Sequence, residues 1–544
     1  MLRVRWLGRV GYRDALALQR GLLSSPEDHL LLLEHPPTYT LGLGADDGDV
    51  LVPAPSVGAE LVRTDRGGKV TYHGPGQLVA YPIVTVPVRY GGGLADTVAW
   101  VRSLEQLVID ALADLGLAGA ERDDHRRGVW VGGAKICAVG VRLARGRSMH
   151  GFALNVDPDL AMFDHIVACG QPEAQTTSLA AQGCRVAMAQ VVDAIARRAV
   201  ERWASHGWER QEVTEAAAGH LEASTFTGGR VATTGLGEPE SEAPVRLTSR
   251  LSRAGVGAGL DVRSRKPEWL RVPARMGPEF LSLRRTVGRL ALTTVCEEAG
   301  CPNIFECWAE GTATFMINGE RCTRACGFCQ VDTRRPEAPE PNEPEQVAEA
   351  VVRLGLEHAV VTAVARDDLA DGGAGAFAAT IAAIRRRAPG CTVEVLIPDC
   401  KGDEGALGQV FAAAPEVCNH NLETVARLQR AVRPSAGYAR SLAVLARAKA
   451  AGLVTKSGLI LGMGETDDEV IGALADLAAL GVDIVTLGQY LRPTSRHLPV
   501  ARWVAPATFD TLARVGLDLG LGHVEASPLT RSSHHARQAL AALR

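Results

Sequence analysis

Six cysteines between Cys296 and Cys329 carry the most explicit chemical signal in the chain. Cys296, Cys301 and Cys307 are spaced C-x4-C-x5-C, whereas Cys322, Cys326 and Cys329 are spaced C-x3-C-x2-C. Each triad is one ligand short of a structural zinc, whose four Cys or His ligands usually arrive as close pairs. Three thiolates on a four-iron cube leave one iron open, and an open metal position can bind and activate a substrate. Spacing alone leaves zinc open as well, including one arrangement that pools both triads. A second stretch, "RGGKVTYHGPGQLVAYP" from Arg66 to Pro82, has glycines that would let the backbone approach a ligand closely.

The elements around these residues divide the chain. At 544 residues it is long enough for roughly two to four domains, each with its own core. Up to residue 215, strand-like runs ("HLLLLEH", "LVAYPIVTVPV") alternate with helical ones. In "TVAWVRSLEQLVIDALADLG", Leu104, Leu107, Val108 and Ala111 fall at helical spacing. From 216 to 250 the periodicity fades into Gly, Ser, Thr, Pro and Glu, which reads as a flexible linker with an end-to-end distance on the order of 30 Å. From 251 to 544, short apolar strands ("ATFMI", "HAVVTAVA", "TVEVLIP") alternate with Ala-rich helices, the pattern of βαβ units and a parallel sheet. A net charge of −4 argues against a polyanion binder or a membrane-surface protein, and so against a nucleic-acid partner. No apolar run approaches the roughly 20 residues that span a bilayer. Arg and Asp break up the N-terminal apolar residues, so no signal peptide is expected; the twelve cysteines read as thiols of a reducing, cytoplasmic compartment.

The motifs that surround the cysteines are more specific than their spacing. "KPEWLRVPA" (266–274), "TVCEEAGCPNIFECW" (294–308), "GTATFMINGERCTRACGFC" (311–329), "RDDLADGGA" (366–374), "VEVLIPD" (393–399) and "NHNLETV" (419–425) follow one another in order. They continue through "TKSGLILGMGET" (455–466), "LGQYLRPT" (487–494), "HLPV" (497–500) and "RSSHHA" (531–536). This region resembles lipoyl synthase, a radical S-adenosylmethionine enzyme. The resemblance implies a partial TIM barrel in which Cys322, Cys326 and Cys329 hold a 4Fe-4S cluster that binds S-adenosylmethionine. It further implies an auxiliary 4Fe-4S cluster held by Cys296, Cys301, Cys307 and Ser533, the source of the inserted sulfur. His534 stands where the family usually has Tyr, and Cys400 where it commonly has Phe. A lone Cys in an expected core strand reads as packing, as do Cys137, Cys184, Cys391 and Cys418.

The glycine-rich stretch is followed by "GGAKICAVGV" (132–141), "HGFALNV" (150–156) and "DHIVACG" (164–170). In this order the set resembles the octanoyltransferases, with the α+β fold of the biotin and lipoate protein ligases. The resemblance implies Cys169 as the acyl-carrying nucleophile and Lys135 as its partner. A free thiol has a pKa of about 8.5, and a nearby cation raises its thiolate share. The same resemblance implies a substrate site formed by Arg66, Gly67, Gly68, Lys69, Val70, Thr71, Tyr72 and His73, with Ala138, Val139, Gly140, Gly151, Phe152 and Ala153. His73 and His150 read as binding or positioning groups.

The combined expectation is a bifunctional enzyme of lipoate synthesis. It would move octanoyl from acyl carrier protein to a lysine of a lipoyl domain, then insert sulfur at carbons 6 and 8 of the chain. Unactivated C–H bonds call for a radical cofactor. Its partners would be acyl carrier protein, the lipoyl domains of 2-oxoacid dehydrogenases, the glycine cleavage H protein and a reducing electron donor. Two alternatives stay open at this point: an ATP-dependent lipoate or biotin ligase joined to another sulfur-inserting radical enzyme, and a zinc-stabilised scaffold that binds lipoyl domains.

Overall fold

The computed structural model describes residues 1–86, 96–123, 125–168, 175–213, 245–261, 264–271, 303–304, 307 and 312–543. Two compact units emerge: Met1–Glu212 with Tyr438–Gly452 and Gly472–Val482, and the remainder of Val213–Arg544. Of the expected linker, 216–244 lies outside the described residues, and Val245–Arg253 is helical.

In the first unit β1 (Leu2–Arg9), helix α1 (Tyr12–Leu22) and β2 (Asp28–Glu34) lead into a small sheet of β3 (Thr38–Leu41), β4 (Glu60–Arg63) and β5 (Val70–His73). Then follow β6 (Gln77–Ile83), α2 (Thr97–Asp114), β7 (Ala120–Arg122), β8 (Val129–Val131), β9 (Ala134–Ala144), β10 (Arg147–Asn155), α3 (Met188–Trp203) and β11 (Trp208–Glu212). The main sheet runs β11-β1-β2-β6-β10-β9-β8-β7, and the small one β4-β3-β5. Asp96 starts α2 by accepting the Val98 and Ala99 amides, and Leu104, Leu107, Val108 and Ala111 are then fully buried in the core that α2 and α3 form with the sheet. This is an α+β unit of the kind the alternation predicts.

The second unit carries seven parallel strands in sequence order: β12 (Thr312–Ile317), β13 (His358–Ala363), β14 (Thr392–Leu396), β15 (Val417–Asn419), β16 (Val454–Leu461), β17 (Ile484–Gln489) and β18 (His523–Ala526). Helices such as Glu343–Leu354 and Ala374–Arg387 make the crossovers. Among the described residues β12 pairs with β13 alone and β18 with β17 alone, so the barrel is partial. Cys400 lies beyond β14 in a tight turn with φ of 45°, not in a core strand: β14 ends at Leu396, and Asp399 caps the turn by accepting the Lys401 amide.

Barrel interiors are usually filled by branched apolar residues. Here Glu394 and Lys456 are both fully buried, with Nζ 3.0 and 3.1 Å from the carboxylate oxygens and the Asn419 amide donating at 3.3 Å. Burial works against the Glu394 carboxylate, but Lys456 and His358 outweigh it and hold its pKa below the usual value. Lys456→Met is therefore expected to destabilise the second unit by about 3–5 kcal/mol, because it strands a buried charge. Adding Glu394→Leu should recover most of that loss in thermal denaturation of the full chain. An unchanged melting transition in the single variant would contradict the pairing.

Candidate functional site

In the first unit, β5, β6, β9 and β10 surround a cavity of about 350 Å³. Arg66, Gly67, Gly68, Lys69, Thr71, His73, Ala138, Val139, Gly140, Gly151, Phe152 and Ala153 line it, together with Lys135 and His150. Val70 and Tyr72, expected in the same set, are not in the lining. Successive residues of a strand face opposite ways. Val70 and Tyr72 consequently pack with Tyr39, Leu41, Ala54 and Ile166, while Thr71 and His73 face the cavity. Two motif glycines are also required by the chain's own packing. Gly76 has φ of 83° and a Cβ there would meet the Asp157 carbonyl oxygen, while a Cβ at Gly151 would meet that of Ala80.

A buried hydrogen-bond chain leads away from the cavity. His73 Nδ1 is 2.8 Å from Gln77 Oε1, Gln77 Nε2 donates to Asn155 Oδ1 at 2.9 Å, and Asn155 Nδ2 donates to the Thr177 carbonyl at 2.9 Å. The Thr177 amide in turn donates to the Lys135 carbonyl at 2.9 Å, and the Lys135 amide to that of Gln175 at 2.8 Å. Burial holds His73 well below the usual histidine pKa, so it is neutral. His150 Nε2 sits 2.8 Å from Asp65 Oδ1.

Lys135 is almost buried, and its Nζ lies 4.7 Å from the centre of the Trp130 ring. Among the described residues no carboxylate is within ion-pair distance of it. Cys169 lies outside the described residues. Ala168 and Thr176, on either side of it, line a second small cavity together with Lys135. Gln77, Asn155, Tyr12, Tyr81, His125 and Arg127 complete the surroundings and were not singled out from sequence. Gln77 and Asn155 do lie inside the quoted motifs, facing each other across the β6–β10 register.

Behind the cavity His35 is fully buried, with Nδ1 2.7 Å from the Val10 carbonyl and Nε2 2.7 Å from the Tyr81 hydroxyl. Burial pushes its pKa down to about 4, against 6.5 for a free histidine. Between those values the unfolded chain binds a proton that the folded chain refuses. Stability should accordingly fall as pH drops from 6.5 towards 4, by up to about 3 kcal/mol from His35. His29 and His73, also held low by burial, act in the same direction. Melting temperatures between about pH 7.5 and about pH 4.5 check this; His35→Gln should flatten part of the slope, and a flat wild-type profile would contradict it.

In the second unit the loop after β12 carries Cys322, Cys326 and Cys329, all free of disulfides. Barrel enzymes place their chemistry at the strand C-termini, and this loop is pinned there. The Thr323 amide donates to the Ala365 carbonyl at 3.0 Å, beyond β13. The Arg324 guanidinium donates to both Asp367 oxygens at 2.8 Å and to buried Asp399, beyond β14, at 2.6 Å. The Gly327 amide donates to the Val432 carbonyl at 2.8 Å. Burial pushes the Cys329 thiol up to about 12, with Cys326 and Cys322 adding to it, and burial also raises Cys326. Three half-buried thiols on one loop form a donor set that suits a metal cluster.

The acidic residues of the "RDDLADGGA" and "TKSGLILGMGET" motifs have bonds within the chain. Asp367 holds Arg324, Asp368 holds Arg366, Asp371 accepts the Gly373 and Gly375 amides, and Glu465 those of Gly462 and Met463. Cys296 and Cys301 lie outside the described residues. Cys307 is buried, and one turn before it Asn303 Nδ2 donates to the Leu529 carbonyl at 2.8 Å, four residues from Ser533. His534 and His535, next to Ser533, stack with ring centroids 3.8 Å apart. Cys137, Cys391 and Cys418 are buried, as their packing role predicts, and Cys184 is half-buried.

Residues 11–199 match the lipoyl protein ligase A/B catalytic domain, and residues 316–477 match the radical SAM superfamily. The class is thus an enzyme that joins a ligase- or transferase-type catalytic domain to a radical SAM domain. The chain is 54% identical to the lipoyl synthase of Rubrobacter xylanophilus over 278 residues, which cover 51% of this chain and 87% of that one. It is 56% identical to the lipoyl synthase of Mycobacterium avium over 272 residues, covering 50% and 89%. It belongs to the lipoyl synthase family, and lipoate biosynthesis with S-adenosylmethionine and iron-sulfur chemistry is its setting. Among solved structures, lipoate-protein ligase A bound with ATP gives a TM-score of 0.33 at 20% identity, covering 39% of this chain and 89% of that one. Methylornithine synthase gives 0.32 at 13% identity, covering 44% and 72%. Among the described residues no helix is long and apolar enough to cross a membrane.

Proposed function

We propose that the chain carries out two consecutive steps: octanoyl transfer from acyl carrier protein to a lysine of a lipoyl domain, and sulfur insertion at carbons 6 and 8 of that octanoyl group. The domains in this reading are 1–215 for transfer, 216–250 as linker and 251–544 for sulfur insertion. The observation that carries it is the cavity of about 350 Å³ walled by Val79, Val139 and Phe152, with Lys135 in its lining and the residues flanking Cys169 beside that lysine. An acyl chain fits apolar walls.

Cys169 takes the octanoyl group as a thioester. Lys135 accepts the thiol proton, passes it to the donor thiolate as that leaves, and, neutral again, deprotonates the incoming lysine as the Cys169 thiolate departs, a role suited to an amine with no carboxylate neighbour among the described residues. Exchange of one thioester for another followed by amide formation needs no ATP, which favours transfer over ligation. In the second domain Cys322, Cys326 and Cys329 would hold one 4Fe-4S cluster, and Cys296, Cys301, Cys307 and Ser533 the auxiliary one. When bound, the first cluster and S-adenosylmethionine supply hydrogen abstraction from unactivated C–H bonds, and the auxiliary cluster supplies sulfur. The Arg324 contacts to Asp367 and Asp399 hold the cysteine loop in place. Lipoyl domains of 2-oxoacid dehydrogenases and of the glycine cleavage H protein are the acceptors in this reading, with a separate reductant.

Metal analysis of anaerobically purified protein tests this against a zinc-stabilised scaffold. Two full cubes require about eight irons per chain. Stoichiometric zinc with no iron would overturn the radical half.

A further inference from the structure

Different parts of the chain hold the two ends of the cysteine loop. The Arg324 bonds to Asp367 and Asp399 fix its start, next to Cys322. Its end, next to Cys329, meets the segment that leaves the C-terminus of β17, on the side of the sheet where barrel enzymes keep their chemistry. His497 Nε2 is 3.0 Å from the Cys329 carbonyl oxygen, and the Leu498 amide donates to the Gly327 carbonyl at 2.9 Å. The approach leaves no spare room. Leu498 is fully buried, and a Cβ at Gly327 would lie 2.7 Å from its Cγ and Cδ1.

The His497 ring is directed from both of its nitrogens. A carbonyl oxygen only accepts, so Nε2 carries a proton; in the neutral ring Nδ1 is then an acceptor, and the Thr494 hydroxyl stands 2.8 Å from it. The Arg496 amide donates to the same hydroxyl oxygen at 3.2 Å, which leaves the hydroxyl proton for Nδ1. The backbone that carries the ring is fixed as well. Arg492 Nε donates to the His497 carbonyl at 3.0 Å, the Tyr490 hydroxyl to that of Leu498 at 2.8 Å, and the Leu260 amide to that of Val500 at 2.6 Å. A ring that only filled space would need neither an aimed Nε2–H nor a hydroxyl to aim it.

We propose that His497 is a positioning residue for the cluster that binds S-adenosylmethionine. Its Nε2–H fixes the Cys329 carbonyl, and with it the third thiolate, while Thr494 fixes the ring. This rests on the reading that Cys322, Cys326 and Cys329 hold that cluster, and adds what keeps the third ligand in place. Three thiolates hold such a cube with no fourth in reserve, so a displaced Cys329 lets iron escape. Groups that orient metal ligands typically contribute about 10–100-fold to retention of the metal.

The test uses the full chain, reconstituted with iron and sulfide, reduced, and followed by electron paramagnetic resonance. The change that S-adenosylmethionine makes in the spectrum reports the cluster with the open iron. Under a ferrous chelator, His497→Ala should lose that response about tenfold faster than wild type, or more. His497→Gln, whose amide N–H can stand where the Nε2–H does, should stay within about twofold of wild type. Thr494→Val should fall between the two. All the variants should keep a cooperative melting transition without metal. An unchanged rate of loss in His497→Ala would overturn the proposal. So would a Gln variant as labile as the Ala one, or a metal-free His497→Ala chain with no cooperative transition, since either result would make His497 a packing residue. Wild-type protein with no response to S-adenosylmethionine would instead remove the cluster assignment on which the proposal rests.

Discussion

Cys169→Ala is expected to abolish octanoyl transfer, with a loss on the order of 10⁴-fold or more, because in the proposed mechanism Cys169 carries the acyl chain between donor and acceptor. Wild-type protein incubated with octanoyl-acyl carrier protein and no acceptor should accumulate a hydroxylamine-labile adduct on Cys169, and the variant should not. Lys135→Ala should slow both formation and discharge of that adduct by about 10²–10⁴-fold, the usual range for a lost general base. The structural ground is the position of Lys135. Its amide and carbonyl bond Gln175 and Thr177, in the segment after Cys169, and its side chain lines the small cavity that Ala168 and Thr176 share. Full transfer by Cys169→Ala would remove the nucleophile from the account.

The second large effect separates the two cysteine triads. Cys326→Ala is expected to reduce cleavage of S-adenosylmethionine, read as methionine formation, to background, since two thiolates do not hold a cube that binds the cofactor. Cys301→Ala should leave that cleavage intact and stop sulfur insertion, because only the sulfur source is lost. Ser533→Ala should resemble Cys301→Ala with a milder defect. The described geometry supports two separate assemblies. The Cys322–Cys329 loop is tied to β13 and β14 through Ala365, Asp367 and Asp399, whereas the Cys307 segment is tied to Leu529 near Ser533. Lipoyl product from Cys301→Ala would refute the donor role.

What could be read in sequence follows from the range of each interaction. Helical periodicity placed α2, and the apolar strand runs placed β2, β13 and β14, because each signal is contained within one element. The cysteine triads were legible for the same reason, as spacing within a few turns of chain. Lys135 was different: a single lysine carries no local signal, and only the motif around it marked it. The motif alone does not separate Val70 and Tyr72 from Thr71 and His73; the period of two in a strand turns their side chains away from the cavity. Cys400 was misplaced because the strand stops four residues before it. The His73–Gln77–Asn155 chain depends on the pairing of β6 with β10, and the Glu394–Lys456 pair joins residues 62 apart, so neither was visible before the strands were assembled.

The most direct test of the central claim is conversion on one enzyme. Reconstituted full-length protein would be mixed with octanoyl-acyl carrier protein, an unmodified lipoyl domain, S-adenosylmethionine and a reductant, and the intact mass of the lipoyl domain followed with time. The account predicts an octanoyl adduct first and a lipoyl adduct second, with Cys169→Ala blocking both and Cys326→Ala stopping at the first. A lipoyl domain that stays unmodified, or that gains lipoyl without passing through octanoyl, would contradict it.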